Sequence, residues 1–370
     1  MKQINYFSGC EEEYLEILGL KKDKSFTDLY NNLNDEWKKF LSNYPYNIFP
    51  NEVNDIIVCS YEKLVEYFIS FQTEIFKKTK SDYEQFKKEL EDINKYFENL
   101  TYFRYSYKKE CKHFSDKIAK FFIKHEKGMN IFSCHYCDSA YAGVFYENES
   151  TEGGKRRTFD VDHFFPNAQY PMFSLSLYNF VPSCQICNSR VKGSSNFLQF
   201  YKFIKVDSKN NITEEFDPVK AKKELLLISP ISKKYNVNEN LKIKVYPKLH
   251  HEENNKKNYL LWKYHPEFSS NLTDYTLKFD VNEKTPYIKV KDAFLLEERY
   301  NNIAIKSKAL YLLNLKRKYP DSNIRMMTNT LASEEKLKKI GTFQQLKKAI
   351  FHRDDKYTLL QKLKDDILDN

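Results

Sequence analysis

In the first third of the chain, hydrophobic residues recur at every third or fourth position. Leu33 and Trp37 show this spacing, and Leu64 and Phe68 repeat it further along. The spacing places apolar side chains on one face of an α-helix, which can then pack against a neighbouring helix. The pattern predicts a helical N-terminal region at residues 1–128, with four or five helices.

The pattern changes at about residue 129, where helical periodicity gives way to glycines and cysteines. Five of the chain's eight glycines fall in or beside this stretch: Gly128, Gly143, Gly153, Gly154 and Gly193. Glycines in such numbers are typical of tight turns. We therefore predict a compact, turn-rich module at residues 129–200.

Apolar and polar residues alternate in the last part of the chain, residues 201–370. The alternation is clear at 241–246 and again at 275–281, and it predicts two strands. Residues 287–290 then predict the return strand of a hairpin, and helices follow with a break near Pro320. The whole pattern predicts an α+β fold, with mainly helical N- and C-terminal regions around the central module and a small antiparallel hairpin region after it.

The net charge of the chain excludes few classes of function. Sixty Lys and Arg residues against 51 Asp and Glu residues give a formal net charge of +9. This excess suits an ordinary lysine-rich surface as well as a nucleic-acid-binding surface. No stretch approaches the roughly 18 consecutive apolar residues of a membrane span, so we expect no membrane association. The first residues lack the apolar core of a signal peptide, and we expect a soluble, cytoplasmic protein.

The cysteines point to a metal. Cys134 and Cys137 form one Cys-x-x-Cys pair, Cys184 and Cys187 form a second, and 46 residues separate the two pairs. Without a secretion signal, this pattern favours a metal site over disulfides. Four thiolates make a closed tetrahedral Zn²⁺ site, which is structural rather than catalytic. His135, inside the first pair, is expected to be exposed and not a ligand.

Further motifs lie between and after the cysteine pairs. Asp162-His163-Phe164-Phe165-Pro166 follows the first pair, Asn179 precedes the second, and Asn188 comes directly after Cys187, with Lys192-Gly193 next. In this order, the motifs resemble the HNH endonucleases, or ββα-metal nucleases, in their zinc-stapled form. The resemblance covers less than a fifth of the chain.

The resemblance implies a role for each polar residue. Asp162 and Asn188 would hold a catalytic Mg²⁺ or Mn²⁺, and His163 would be the general base that activates water. Asn179 would steady the hairpin loop and so orient His163. Asn188 stands where the family often has His, and loss of an imidazole ligand favours hard ions such as Mg²⁺ or Mn²⁺. Asp160 could be a further ligand, but a structural hydrogen bond is the favoured interpretation.

Basic residues flank these motifs. They are Lys155, Arg156, Arg157, Arg190 and Lys192. Lysine and arginine at such positions can neutralise backbone phosphates, which supplies affinity without sequence preference. The alternative is that they are ordinary solvated charges.

Two functions of different class therefore remain. The first is a metal-dependent HNH endonuclease that cuts DNA, most simply double-stranded DNA. The segment 170–179 resembles HNH nucleases of bacterial anti-phage systems, of the Septu or retron-associated type, which implies an ATPase or another defence-system subunit as partner. The alternative is a non-catalytic, zinc-stapled nucleic-acid-binding or scaffold protein, which would need none of Asp162, His163 and Asn188.

Overall fold

A computed structural model describes most of the chain. The described residues are 1–21, 28–79, 82–103, 112–146, 155–192, 205–206, 212–214, 217–247, 275–282, 285–332, 346–347, 350–351 and 360–369. They confirm the α+β class, with helices as the main element and small two-stranded antiparallel sheets. No helix among these residues is long and apolar enough to cross a membrane.

The N-terminal region is helical, as predicted. Six helices are described there: α1 (Cys10–Leu18), α2 (Asp28–Asn43), α3 (Val53–Ile57), α4 (Tyr61–Lys78), α5 (Tyr83–Glu98) and α6 (Lys112–Lys124). Side-chain hydrogen bonds cap the first turns of α4 and α5. Ser60 accepts the backbone N–H of Lys63 at the start of α4, and Asp82 accepts those of Glu84 and Gln85 at the start of α5.

The central residues form two small antiparallel pairs. Strand β1 (Val144–Tyr146) pairs with β2 (Lys155–Arg157), and β3 (Asp160–His163) pairs with β4 (Phe180–Ser183). After β4 the chain forms a π-type helix, Ile186–Lys192. β5 (Lys205–Val206) and β6 (Ile212–Glu214) pair next.

Contacts divide the described chain into two compact units. Unit 1 comprises residues 1–237 and 284–294, and unit 2 comprises 238–283 and 295–370. The three-part division at residues 128 and 200 stays a prediction.

In unit 1, the connection that follows β3 packs on α4. The rings of Tyr61 and Phe164 lie 5.8 Å apart and those of Phe68 and Phe165 lie 4.6 Å apart, measured between centroids. All four side chains are buried. The apolar face of α4 therefore supports the end of the strand that carries Asp162 and His163. The unit also contains α7 (Pro218–Ile228), whose first turn is capped by Asp217.

In unit 2, β7 (Leu241–Pro247) pairs with β8 (Tyr275–Val281), which agrees with the two predicted strands. Helix α9 (Tyr287–Ala293) belongs to unit 1. The other helices after α7 in the chain are α8 (Val237–Asn240), α10 (Leu296–Tyr300), α11 (Ile303–Lys318), α12 (Asp321–Ala332) and α13 (Gln361–Asp369). The break between α11 and α12 falls at Pro320, as predicted.

One predicted strand is wrong. Residues 287–290 form the first turn of α9 rather than the return strand of a hairpin. Tyr287, Val290 and Phe294 are all buried, at steps of three and four residues, which is the spacing of a helix face. The predicted partner strand is also unnecessary because β8 already pairs with β7 along its full length.

Candidate functional site

The β3–β4 pair brings the motif residues together. Asp162 lies opposite Val181 and His163 lies opposite Phe180, so both polar residues stand at the end of β3 where the chain leaves the sheet. Four residues after Phe180 come the second cysteine pair and the π-helix that carries Asn188. The β3–β4 pair thus places Asp162 and His163 beside the segment that carries the second cysteine pair and Asn188.

Asp162 lies in a closed environment. Its side chain is 6% exposed, and its Oδ2 atom accepts hydrogen bonds from the Tyr136 hydroxyl at 2.8 Å and from the Lys192 ammonium at 2.6 Å. Burial raises the pKa of Asp162, although Lys192 and Tyr136 both stabilise the charged form. The carboxylate is therefore part of a buried ion pair.

A hydrogen bond to the backbone of Ser174 orients the His163 ring. Nε2 lies 3.0 Å from the carbonyl oxygen of Ser174, which can only accept, so Nε2 carries the proton. In the neutral ring, Nδ1 is then the acceptor nitrogen. Burial lowers the pKa of His163 to about 4, so the imidazole is neutral near pH 7. The ring also packs on Phe180, with centroids 4.8 Å apart.

Asn179 is fully buried and closes the connection between β3 and β4. Its Nδ2 donates to the carbonyls of Phe165 at 3.1 Å and Phe173 at 3.0 Å, while its Oδ1 accepts the Phe165 N–H at 2.7 Å. Phe165 follows His163 by two residues, and Phe173 immediately precedes Ser174. The Asn179 amide thus fixes both the strand end that carries His163 and the carbonyl that orients its ring.

Asn188 is half-buried in the π-helix. Its Nδ2 donates to Oδ2 of Asp160 at 3.1 Å, and its backbone N–H donates to the Cys184 carbonyl at 3.0 Å. The first contact gives Asp160 a structural hydrogen bond across the site. It also determines the orientation of the amide, since its NH₂ group faces Asp160.

The four cysteines form one buried cluster that could hold a metal ion. Their Sγ atoms all lie within 4.8 Å of one another, and the Sγ atoms of Cys137 and Cys184 are 3.9 Å apart. A tetrahedral ion with bonds of about 2.3 Å to sulfur would place its ligands about 3.8 Å apart. The cluster therefore suits a structural zinc ion in both ligand type and spacing.

Hydrogen bonds surround this cluster. The Ser139 hydroxyl donates to Sγ of Cys137 at 3.3 Å, and the Cys187 N–H donates to Sγ of Cys184 at 3.4 Å. Donors aimed at sulfur stabilise thiolates, the form that binds metal. The pKa of Cys184 is lowered to about 7, chiefly by a hydrogen bond from Cys134. Burial raises the pKa of Cys134, and hydrogen bonds from the other cysteines raise that of Cys187.

His135 is buried, and the expectation that it is exposed is wrong. Its Nδ1 lies 2.9 Å from the Lys2 carbonyl and its backbone N–H bonds the Pro182 carbonyl. The N-terminal residues cover this face of the cluster, which the local sequence around the cysteines cannot reveal. Burial lowers the pKa of His135 to about 4.

The predicted phosphate contacts differ in their surroundings. Arg156 and Arg190 are exposed, whereas Arg157 is half-buried and its Nη1 donates to the Phe159 carbonyl at 2.8 Å. Lys155 lies in β2, and its side chain is outside the described residues. Lys192 is only 6% exposed and its ammonium faces Asp162, a different arrangement from the solvent-facing phosphate contact that its sequence position suggests.

The sequence did not indicate that two further residues belong to the site. Tyr136, which donates to Asp162, stands within the first Cys-x-x-Cys pair, and its ring stacks on Phe294 at 4.4 Å. Ser174 contributes only its backbone carbonyl, which any residue type could supply. Neither contact follows from residue type or spacing, because each depends on segments distant in the chain.

The donor atoms near β3 suit a hard cation in type, since Asp162 offers a carboxylate and Asn188 an amide oxygen. In the described arrangement, however, Lys192 and Tyr136 already use Oδ2 of Asp162. A divalent ion therefore fits at that oxygen only if one of the two donors moves away.

Comparisons with known proteins give a single short match. Protein ea31 of Escherichia phage lambda is 37% identical over an alignment of 60 residues, and the match covers 14% of this chain and 20% of ea31. This chain thus covers only about a fifth of that relative. No protein family and no solved structure matches the chain.

Proposed function

We propose that this protein is a metal-dependent endonuclease of the HNH type, which hydrolyses phosphodiester bonds in DNA. The observation that carries the proposal is the arrangement of His163: a buried, neutral imidazole is oriented by the Ser174 carbonyl, at the end of the strand that also carries Asp162. A scaffold protein has no need for a buried imidazole held in one tautomer.

The chemistry follows from the Nδ1 atom of His163. In the cleavage step, a water oxygen forms a bond to phosphorus while its proton passes to Nδ1. The bond from phosphorus to the leaving deoxyribose oxygen then breaks, and solvent supplies a proton to that oxygen. The low pKa of His163 keeps the ring able to accept a proton at neutral pH.

Asp162 and Asn188 would hold the Mg²⁺ or Mn²⁺ ion, which when bound neutralises charge on the phosphate. The zinc ion proposed for the cysteine cluster has a different task. It would link the segment before β1 to the start of the π-helix, and so fix Asn188 relative to β3. Such a small module buries little apolar surface, and a metal can supply the missing folding free energy.

The DNA would be held mainly by arginines. Arg156 and Arg190 are exposed near the site, and Arg157 is partly so. These charges would contact phosphates rather than bases, so binding would have no sequence preference. Double-stranded DNA is the proposed substrate.

A plasmid cleavage assay tests this proposal. Wild-type protein should nick or cut plasmid with Mg²⁺ or Mn²⁺ and stop with EDTA, while His163→Ala should bind DNA without cutting it. A matched control is His113→Ala on α6, which should cut normally. If the His163→Ala protein cuts at the wild-type rate, the proposal fails.

A second candidate is a non-catalytic, zinc-stapled nucleic-acid-binding or scaffold protein. The ion pair between Asp162 and Lys192 favours it, because a catalytic carboxylate is here engaged by an ammonium. A protein that binds DNA but never cuts it, with any divalent ion, would support this candidate.

We further propose that the nuclease is the effector of a bacterial anti-phage system, acting with an ATPase or another defence subunit. The support is the resemblance of the segment 170–179 to nucleases of such systems. Phage plaque counts on cells with the wild-type operon and with the His163→Ala variant test it: only the wild type should protect.

A further inference from the structure

Lys192 makes an unusual set of contacts for a predicted surface residue. Its Nζ lies 2.6 Å from Oδ2 of Asp162 and 2.5 Å from the carbonyl oxygen of His163. The Lys192 and Asp162 side chains are only 5% and 6% exposed. The ammonium therefore sits beside both residues of the Asp-His motif, within the buried part of the site.

We infer that Lys192 is a positioning residue that holds Asp162 in the metal-free protein and yields its place to the divalent ion when the ion binds. This inference rests on the proposed metal-dependent function. It assigns Lys192 control over metal affinity, a role that its sequence position beside the arginines does not indicate.

Two donors occupy one oxygen of the Asp162 carboxylate. Each carboxylate oxygen offers about two acceptor positions. At Oδ2 of Asp162, Tyr136 and Lys192 take both. An ion that binds this oxygen must displace one of these donors.

Of the two donors, Lys192 is the one that can leave Asp162. The Tyr136 ring is stacked on Phe294, and both side chains are buried, so its hydroxyl is fixed by packing. Lys192 carries its charge on a flexible four-carbon chain and is the last residue of the π-helix. The lysine ammonium can therefore move by rotation of its own side-chain bonds, whereas the tyrosine hydroxyl can leave Asp162 only if the stacked ring moves.

The charges of Asp162, Lys192 and the divalent ion also favour the exchange. Asp162 carries one negative charge, and the ammonium neutralises it. A divalent ion placed beside the ammonium would be repelled by it, strongly so in a buried site. Exchange of the lysine for the ion removes this repulsion.

Chemical labelling of the wild-type, zinc-loaded protein tests the exchange directly. An amine-reactive ester is added with and without 10 mM Mg²⁺ or Mn²⁺, and acylation of each lysine is followed by mass spectrometry. Lys192 should react slowly without the ion and several-fold faster with it. Lys244, which is exposed, should react equally in both conditions. An unchanged rate at Lys192 would show that the ammonium stays on Asp162, and the inference would fall.

Metal affinity supplies a second readout that is independent of cleavage. Mn²⁺ binding, measured by electron paramagnetic resonance, should be about ten-fold tighter in Lys192→Met, because the competing charge is gone. Lys306→Met removes another buried lysine, on α11, and should leave Mn²⁺ affinity unchanged. Retained zinc and an unchanged circular dichroism spectrum confirm that each variant is folded.

The outcomes separate the inference from the function on which it rests. If wild type and Lys192→Met bind Mn²⁺ equally, or the variant binds more weakly, Lys192 does not compete with the ion and only the inference fails. If neither protein binds Mn²⁺ at millimolar concentration, the metal-dependent function fails and the inference fails with it.

Discussion

His163 and Ser174 are joined by a hydrogen bond of 3.0 Å from the imidazole Nε2 to the backbone carbonyl, although eleven residues separate them in the chain. This contact determines which ring nitrogen carries the proton, and so which one can accept a proton from water. The candidate site therefore depends on the loop that delivers Ser174 as much as on the motif itself.

Replacing His163 with Ala should reduce the rate of DNA cleavage by on the order of 10²-fold or more, the usual contribution of a positioned acid or base. Zinc content and DNA affinity should be unaffected, because the ring is neither a ligand of the cysteine cluster nor an exposed positive charge. Single-turnover cleavage and a filter-binding assay measure the two effects separately. Parallel losses of cleavage and of DNA binding would contradict this division of roles.

Asn179 should be important for both stability and activity. Asn179→Ala leaves the Phe165 N–H and two carbonyls without their partner in a buried place, and we expect a loss of about 2–4 kcal/mol in the free energy of unfolding. Urea denaturation measures this loss. Asn99→Ala, at the exposed end of α5, is the matched control and should change stability by less than about 0.5 kcal/mol.

The same variant tests the orientation of His163. Below its melting temperature, Asn179→Ala should cleave more slowly than wild type with an unchanged affinity for DNA. Wild-type cleavage by a folded Asn179→Ala protein would show that the loop does not orient the imidazole.

The cysteine cluster should contain about one zinc ion per chain by elemental analysis. Cys187→Ser removes a buried ligand and should lower both the zinc content and the melting temperature, because metal binding contributes folding free energy. Cys59→Ser, which lies outside the cluster, should change neither. A zinc-free protein with the wild-type melting temperature would contradict a structural role.

A buried ion pair in unit 2 gives a prediction that is independent of function. Lys362 and Asp366 are each 2% exposed, and Asp366 also accepts the backbone N–H of Ile243 at 2.7 Å. Asp366→Ala removes the carboxylate that faces the buried Lys362 ammonium and should cost about 3–5 kcal/mol. The exposed pair of Lys244 and Asp280 is the control, and Lys244→Ala should cost at most about 1 kcal/mol. Urea denaturation followed by a probe in unit 2 distinguishes the two.

The sequence was sufficient to predict the α+β class and the cysteine cluster. Both depend on signals that lie within the chain itself: helical periodicity over many residues, and a spacing of Cys-x-x-Cys that brings two thiolates to one ion. The strand predicted at 287–290 was wrong because four residues of mixed apolar and polar type fit a helix as well as a strand. The buried Phe294, seven residues after Tyr287, favours the helix.

The electrostatics of the site could not be predicted in this way. A lysine two residues from an exposed arginine gives no indication that its ammonium is buried on Asp162, because that depends on how the π-helix lies against β3. His135 is covered by the N-terminal residues, more than 130 positions earlier in the chain. Such contacts between distant segments determine which side chains are buried, and burial influences which of those side chains are charged.

The position of the cysteine pairs has a consequence for how the chain can vary. The pairs enclose β1, β2, β3 and β4, so a bound ion would close this whole stretch into a loop from Cys137 to Cys184. The entropy of closing such a loop grows only with the logarithm of its length, about 0.6 kcal/mol for each doubling. Residues inserted within the stretch that the ion encloses would therefore change the entropy of loop closure little. A bound ion would thus let this stretch vary in length while its two ends stay joined.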